Sequence, residues 1–213
     1  MSDIEQKHKP KATIKNVAFF GDAESSPDSE EYKQAYEMAR ICAREKYVIV
    51  NGGGPGIMNA STQGAEKEGG ETLSVTFTPK DAPGFEGRYV GNVTDTVIHT
   101  RNYIERMFKL MEHADLYLIF KGGTGTVSEF GTAWVLAKLY YGHHKPFILV
   151  GKFWRPVVKA MADNLNIDEG EMSVFKIVDE IEEVLPAMKA FEKEMQKLDH
   201  SHCKVCSEKA FMT

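Results

Sequence analysis

The chain has 213 residues, of which 42% are hydrophobic and 27% charged, as is usual for one globular α/β domain with a short tail. A net charge of −5 at pH 7 provides no general attraction for nucleic acid, and no apolar stretch reaches the roughly 20 residues that cross a bilayer. The polar first residues lack a signal-peptide core, and the three cysteines form no disulfide framework. We therefore expect a cytoplasmic protein that binds neither nucleic acid nor a membrane.

Strand and helix patterns alternate along the chain, after a charged segment at residues 1–13 that we expect to be a flexible arm. Strands are predicted at residues 14–20, 47–50, 72–78, 93–99, 116–120, 146–150 and 174–177. Helices are predicted at residues 29–44, 55–68, 101–113, 130–141, 153–164 and 179–197. No linker divides residues 14–197, so they form one predicted domain, followed by a C-terminal tail at 198–213.

This alternation predicts an α/β fold, a Rossmann-like three-layer sandwich with a central parallel sheet. In such sheets, ligands bind beyond the carboxyl ends of the strands, where the strand order changes direction. The first strand is not followed by the G-x-G-x-x-G fingerprint of dinucleotide-binding domains, and the Gly-Lys-Ser/Thr of P-loops is absent. We expect a nucleotide or phosphate site of another kind.

The stretch Lys-Gly-Gly-Thr-Gly-Thr-Val-Ser-Glu, residues 121–129, joins a buried-strand pattern to a helix pattern. Glycines allow the backbone to turn tightly and to approach a ligand closely. The first N–H groups of a helix are unpaired and lie at the positive end of its dipole, so they are suited to bind phosphate. The predicted phosphate-binding residues are Gly122, Gly123, Thr124, Gly125 and Thr126, of which the two threonines add hydroxyl donors.

Glu129 is an unusual residue to find beside a predicted phosphate site, because an anion there repels its carboxylate. A catalytic base, or a group that stabilises developing positive charge, would explain its position. A carboxylate in the first turn of a helix is also a common partner of the helix dipole and a member of capping boxes. The residue type and position leave both interpretations open.

A second glycine-rich stretch, Asn-Gly-Gly-Gly-Pro-Gly at residues 51–56, also lies between a predicted strand and a predicted helix. Pro55 fits a first helical turn, where its missing N–H is not needed. Three successive glycines exceed what a tight turn requires, so we expect Gly53 and Gly54 to line the ligand site. A tight turn without a ligand is the alternative.

These stretches together resemble the LONELY GUY (LOG) family of Rossmann-like proteins, which are often mislabelled lysine decarboxylases. The family motif P-G-G-x-G-T-x-x-E matches Gly122 to Glu129, with Lys121 in place of the proline. Residues 52–58 match the family's G-G-G-x-x-G-(I/L)-M loop. Arg106 stands at the position of the family's upstream arginine, and Met107 replaces the lysine that usually follows it. The similarity covers roughly residues 14–178.

The resemblance implies hydrolysis of the N-glycosidic bond of a nucleoside 5′-monophosphate to free base and ribose 5-phosphate, without a metal or other cofactor. It also implies a homodimer or a larger homo-oligomer. Catalysis would belong to Glu129, acting on the attacking water and on the cationic sugar, and to Arg106, holding the substrate. Arg101 is a second candidate ligand for the phosphate.

The departures at Lys121 and Met107 leave a different class of function open: a non-catalytic carrier of a nucleotide or a phosphorylated pterin. Retention of both Arg106 and Glu129 argues against it. A lysine decarboxylase is not supported, since nothing in the sequence marks a lysine for pyridoxal phosphate. The loop at residues 79–91 is long enough to act as a lid or an interface.

The tail contains four potential zinc ligands: His200, His202, Cys203 and Cys206. Seven residues are too few to place all four around one tetrahedral ion without strain. We therefore expect a solvated tail without a metal of its own, and a zinc ion shared across a dimer is the alternative.

Overall fold

The structure is a computed structural model that describes residues 14–78, 88–139 and 145–197. Four predictions lie wholly or partly outside these residues. They concern the N-terminal arm, the loop at residues 79–91, the end of the helix predicted at residues 130–141 and the tail with its potential zinc ligands.

Within the described residues, seven strands form one sheet in which every neighbouring pair is parallel. In chain order they are β1 (Asn16–Phe20), β2 (Val48–Asn51), β3 (Thr72–Phe77), β4 (Thr96–Thr100), β5 (Leu116–Ile119), β6 (Phe147–Val150) and β7 (Phe175–Val178). Their order across the sheet is β4-β3-β2-β1-β5-β6-β7. The sheet therefore grows in one direction from β1 to β4 and in the other from β5 to β7.

Helices cover both faces of this sheet. They are α1 (Glu30–Arg44), α2 (Ile57–Lys67), α3 (Tyr103–His113), α4 (Thr124–Leu139), α5 (Trp154–Asn164), α6 (Glu169–Met172) and α7 (Val184–Met195), with a 3-10 turn at Ile181–Glu183. Val17 and Phe19 of β1 pack with α1, α2 and α7, whereas Ala18 and Phe20 pack with α3, α4 and α5. Because successive strand residues point to opposite faces, β1, β2, β5, β6 and β7 supply both cores. The predicted Rossmann-like sandwich is confirmed.

The helix after the central glycine stretch begins earlier than predicted. It starts at Thr124 instead of residue 130, because the Val127 N–H already donates to the Gly123 carbonyl oxygen (3.0 Å). Thr124, Gly125 and Thr126 therefore lie in the first helical turn and not in a loop before it. Glu129 consequently lies in the second turn of α4.

Two further elements differ from prediction. β4 begins at Thr96 instead of residue 93, after Asp95, whose carboxylate accepts hydrogen bonds from the N–H and hydroxyl of Thr72. The four-residue helix α6 was not predicted, although its capping box between Asp168 and Glu171 is a recognisable start signal.

The loops after β1, β2 and β5 leave the sheet at the same edge and are hydrogen bonded to each other. The Asp22 N–H donates to the Lys121 carbonyl (3.0 Å), and the Asp22 carbonyl accepts from the Ile57 N–H (2.9 Å). This is the point where the strand order changes direction, between β1 and β5. In the described part of the chain, no helix is long and apolar enough to cross a membrane.

Candidate functional site

A cavity of about 610 Å³ lies at this change of direction. The loop after β1 forms one wall with Asp22 and Glu24, and the loop after β2 contributes Gly54. The first two turns of α4 form the opposite wall, and Arg106 of α3 reaches the cavity from the side of β3. Its position matches the ligand site expected for a parallel sheet.

The start of α4 presents unpaired backbone donors to the cavity. The first helical hydrogen bond is made by Val127, so the N–H groups of Thr124, Gly125 and Thr126 have no partner within the helix. No atom lies within 4 Å of the place where a Cβ on Gly123 would stand, so a ligand has room to approach there. These donors and the dipole of a 16-residue helix suit a phosphate group.

Glu129 is enclosed in the wall of the same cavity, with 8% of its surface exposed. Burial raises the pKa of its carboxyl from 4.5 to about 7, and the positive charge of Arg106 opposes this rise. The carboxyl makes no hydrogen bond to another residue of the described part of the chain. A carboxyl whose pKa lies near neutrality can both accept and release a proton at physiological pH.

Arg106 is 6% exposed and is fixed by one backbone carbonyl of β3 and one of the loop after β2. Its Nε donates to the Val75 carbonyl and its Nη2 to the Gly52 carbonyl, each at 3.1 Å. A Cβ on Gly52 would stand 1.6 Å from that Nη2, so only glycine leaves room for the guanidinium. The neighbouring Met107 is buried. Its sulfur atom lies 3.3 Å from the hydroxyl oxygen of Ser128 in α4.

The loop after β2 is held by its own backbone and by neighbouring side chains. Gly53, at a φ of +71°, donates through its N–H to the Asn51 side chain and accepts at its carbonyl from the Tyr89 N–H. The Gly54 carbonyl accepts from the Asn92 amide at 2.8 Å. These bonds fix the loop that in turn holds Arg106.

A family model matches residues 14–174, well over half of the chain. The chain belongs to the SLOG cluster4 family. This family includes LOG-like Rossmann-type proteins, so the resemblance drawn from the motifs is confirmed. An uncharacterized protein of Archaeoglobus fulgidus is 30% identical to this SLOG cluster4 protein over 124 residues, which are 58% of this chain and 78% of the relative.

Several solved structures share the fold. The molybdenum cofactor binding protein of Rippkaea orientalis has a TM-score of 0.61 and 21% identity, over 84% of this chain and 97% of its own. A protein designated TM1055 has a TM-score of 0.64 and 23% identity, over 83% of this chain and 99% of its own. DNA processing protein A of Helicobacter pylori, which binds single-stranded DNA, has a TM-score of 0.54 and 16% identity, over 84% of this chain and 81% of its own.

The structure of this SLOG cluster4 protein brings most of the predicted site residues to one cavity wall. These are Arg106, Glu129, Gly54, Gly123, Thr124, Gly125 and Thr126. Three others lie elsewhere. Gly53 is buried behind Gly54, and Gly122 borders a smaller cavity of about 370 Å³ beside Lys121. The Arg101 side chain is 86% exposed and pairs with Glu105 at 3.0 Å.

The sequence analysis assigned no role at the site to several wall residues, among them Tyr103 and Met58. A signal for Tyr103 was present, since it lies three residues before Arg106 and therefore on the same helix face. Met58 is the last residue of the second glycine-rich motif, but the motif does not indicate which of its side chains reaches the cavity. Within the described ranges, no group of three or more His, Cys, Asp or Glu side chains is placed to hold a metal.

Proposed function

We propose that this protein hydrolyses the N-glycosidic bond of a nucleoside 5′-monophosphate, releasing the base and ribose 5-phosphate. The observation that carries the proposal is the placement of Glu129, a buried carboxyl with a pKa near 7, in the same cavity wall as the donors of the α4 N-terminus. A pure phosphate site does not need an acid there, whereas a glycosidase does.

The phosphate would bind to the N–H groups of Thr124, Gly125 and Thr126, which positions the sugar toward the second turn of α4. The bond between C1′ and the base nitrogen then breaks, and its electron pair leaves with the base. The ionised Glu129 stabilises the positive charge at C1′ and takes one proton from the water that bonds there. The departing base takes up a proton from solvent, and Glu129 later releases its own.

Arg106 has a supporting part in this scheme. Its charge opposes the rise in the pKa of Glu129 and so favours the ionised base. Its bonds to the Gly52 and Val75 carbonyls keep the guanidinium at the cavity wall before a ligand arrives. Such preorganisation avoids a reorganisation cost during the reaction.

The charges of the described cavity wall favour a small ligand over a polyanion. Asp22, Glu24 and Glu129 supply three carboxylates, against the single guanidinium of Arg106. A strand of nucleic acid or a triphosphate would meet net repulsion there. The wall therefore supports the proposal of a monophosphate ligand, even though one protein of similar fold binds single-stranded DNA.

A carrier of a phosphorylated pterin or nucleotide is the second candidate. Two solved proteins of similar fold are described as molybdenum cofactor binding or carrier proteins. In this chain Met107, which replaces the family's lysine, is turned into the contact between α3 and α4 and adds no positive charge to the site. A carrier would retain its ligand without releasing a base.

We also propose that the protein is a homo-oligomer. Ile104 and Phe108 of α3, and Val127, Val135 and Leu139 of α4, are large apolar side chains that remain more than half exposed. A neighbouring copy would remove them from water. The molar mass in solution, measured by light scattering, tests this.

The experiment that tests the enzyme incubates the protein with a panel of nucleoside 5′-monophosphates and follows free base and ribose 5-phosphate by chromatography. We expect base release from at least one nucleotide, a loss of at least 100-fold in Glu129→Gln, and no loss in the exposed control Glu182→Gln. Below pH 7, kcat/KM should fall about tenfold per pH unit, as the base becomes protonated. Tight retention of an unchanged phosphorylated ligand, without base release, would establish the carrier instead.

A further inference from the structure

Tyr103 lies in the cavity wall, and the reaction scheme gives it no role. It is the first residue of α3, one turn before Arg106, and its side chain is half-buried. Its phenol is both an apolar surface and a hydrogen-bond donor, so it could contact either a base or a phosphate. Its position distinguishes between these roles.

The ring of Tyr103 is held by its neighbours. It packs edge-on against Phe77, the last residue of β3, with the ring centres 6.4 Å apart and the planes at 74°. The start of α3 is fixed by Asn102, whose side chain accepts from the Glu105 N–H at 2.9 Å. These contacts fix the direction in which the hydroxyl extends.

The Tyr103 hydroxyl lies beside the α4 N-terminus. It stands 3.7 Å from the place where a Cβ on Gly125, the second residue of α4, would be. Thr124, Gly125 and Thr126, whose N–H groups have no helical partner, line the same cavity as Tyr103, and no hydrogen bond joins the hydroxyl to another described residue. Two kinds of donor therefore line the cavity at the start of α4.

We propose that the Tyr103 hydroxyl donates a hydrogen bond to the phosphoryl group of the ligand and so selects phosphate monoesters over unphosphorylated nucleosides. This inference rests on the phosphate position in the proposed function, and it does not rest on hydrolysis. A donor from α3 completes the coordination of an oxygen that α4 binds from the other side. Asp22 and Glu24 in the same wall disfavour additional phosphate groups, which restricts the selected class to monoesters.

Isothermal titration of the full chain carrying Glu129→Gln tests this, because the ligand is then not consumed. The titrants are a nucleoside 5′-monophosphate, the corresponding nucleoside and ribose 5-phosphate. Adding Tyr103→Phe should weaken both phosphorylated ligands about tenfold and leave the nucleoside unchanged. Tyr36→Phe, a half-buried tyrosine of α1 outside the cavity wall, is the matched control and should change none of the three affinities.

Each other outcome overturns a defined claim. An unchanged monophosphate affinity in Tyr103→Phe, in a protein that binds monophosphates, would overturn the role of the hydroxyl alone. Equal weakening of nucleoside and monophosphate, accompanied by a further loss in Tyr103→Leu, would assign Tyr103 to base stacking. No binding of any phosphorylated ligand to the parent chain would overturn the phosphate site itself. Selective weakening without base release by the wild type would uphold this inference and overturn the hydrolase.

Discussion

The two glycine-rich loops after β2 and β5 are similar in sequence, but their backbone groups are used differently. In the loop after β2, Gly52 and Gly53 are buried, and their carbonyls accept hydrogen bonds from Arg106 and the Tyr89 N–H. In the loop after β5, Gly123 and Gly125 are exposed at the cavity, and the N–H groups that open α4 have no helical partner. The first loop holds Arg106 in the cavity wall, and the second presents N–H groups without a helical partner to the cavity.

The conformations of the glycines explain this division. Gly53 and Gly56 have φ values of +71° and +60°, which side chains other than glycine rarely adopt. Gly122, Gly123 and Gly125 are not among the positive-φ glycines. A glycine-rich stretch thus has two physical uses, an unusual backbone conformation or close approach by a ligand, and sequence alone does not separate them.

Gly56→Ala should cause the largest loss of stability. The new Cβ would stand 2.2 Å from the Asp22 carbonyl oxygen, in a backbone conformation that alanine tolerates poorly. We expect a loss of about 3 kcal/mol or more in the free energy of unfolding, measured by urea denaturation. Gly123→Ala, whose Cβ meets no atom within 4 Å, should change stability by less than about 0.5 kcal/mol.

The same pair separates the two loops by function. The methyl group of Gly123→Ala would lie at the open cavity wall and should weaken binding of a monophosphate while the fold is intact. Unchanged monophosphate binding by Gly123→Ala would show that the ligand does not approach α4 there. A Gly56→Ala protein as stable as the wild type would contradict the supporting role of the loop after β2.

Glu129→Gln should stabilise the protein at alkaline pH and leave it unchanged in acid. Burial raises the pKa of the carboxyl from its ordinary 4.5 to about 7 in the folded chain, so folding disfavours its ionised form. Below pH 4.5 the carboxyl is neutral in both states; between about 4.5 and 7 the wild type progressively loses stability as pH rises. The difference of about 2.5 pKa units corresponds to a gain of about 3 kcal/mol for the glutamine variant at pH 8.

Denaturation curves of both proteins at pH 5 and pH 8 measure this difference. The control is Glu182→Gln at an exposed glutamate. Its free energy of unfolding should match that of the wild type at both pH 5 and pH 8. An equal stability of wild type and Glu129→Gln at both pH values would mean that the carboxyl is solvated, and the argument for a base poised near neutrality would fail. A larger stability of the wild type at pH 8 would point to a hydrogen bond made by the ionised carboxylate.

The fold and the central part of the site could be predicted from the sequence because both depend on local patterns. The alternation of apolar strands with helices gave the parallel sheet, and the spacing from Gly122 to Glu129 predicted a phosphate-binding turn with an acid beside it. The predicted helix start at residue 130 was wrong, because two glycines and two threonines look like a loop in sequence. The first helical hydrogen bond, from the Val127 N–H to the Gly123 carbonyl oxygen, shows that the helix already includes Thr124, Gly125 and Thr126.

Long-range contacts decided what could not be predicted. Arg101 and Arg106 are both arginines at the start of one predicted helix, and only the fold shows that one faces Glu105 in solvent and the other the carbonyls of Gly52 and Val75. The residue type is the same at both positions, so it does not indicate which arginine contacts the carbonyls and which one is exposed. The spacing from Arg106 indicated that Tyr103 shares its helix face, but only the fold shows that Tyr103 packs on Phe77 and lies beside Gly125.

Lys121→Ala should have little effect on either stability or monophosphate binding. Lys121 replaces the family's proline, and its ammonium group lies 3.5 Å from Glu31 with 62% of the side chain exposed, beside the smaller cavity and outside the larger one. An exposed pair at this distance contributes less than about 0.5 kcal/mol to stability. Its backbone carbonyl, which accepts from the Asp22 N–H, is retained in the variant.

Monophosphate binding at low and moderate salt measures the remaining effect of Lys121. We expect affinities within twofold of the wild type for Lys121→Ala, and the same for Lys121→Pro, which restores the family residue, because the ammonium group faces α1 and not the α4 N-terminus. A tenfold loss that disappears as salt is raised would instead mean that Lys121 reaches the bound phosphate. In that event the loop after β5 would bind its ligand through a side chain as well as its backbone, and the contrast between the two glycine loops would become larger.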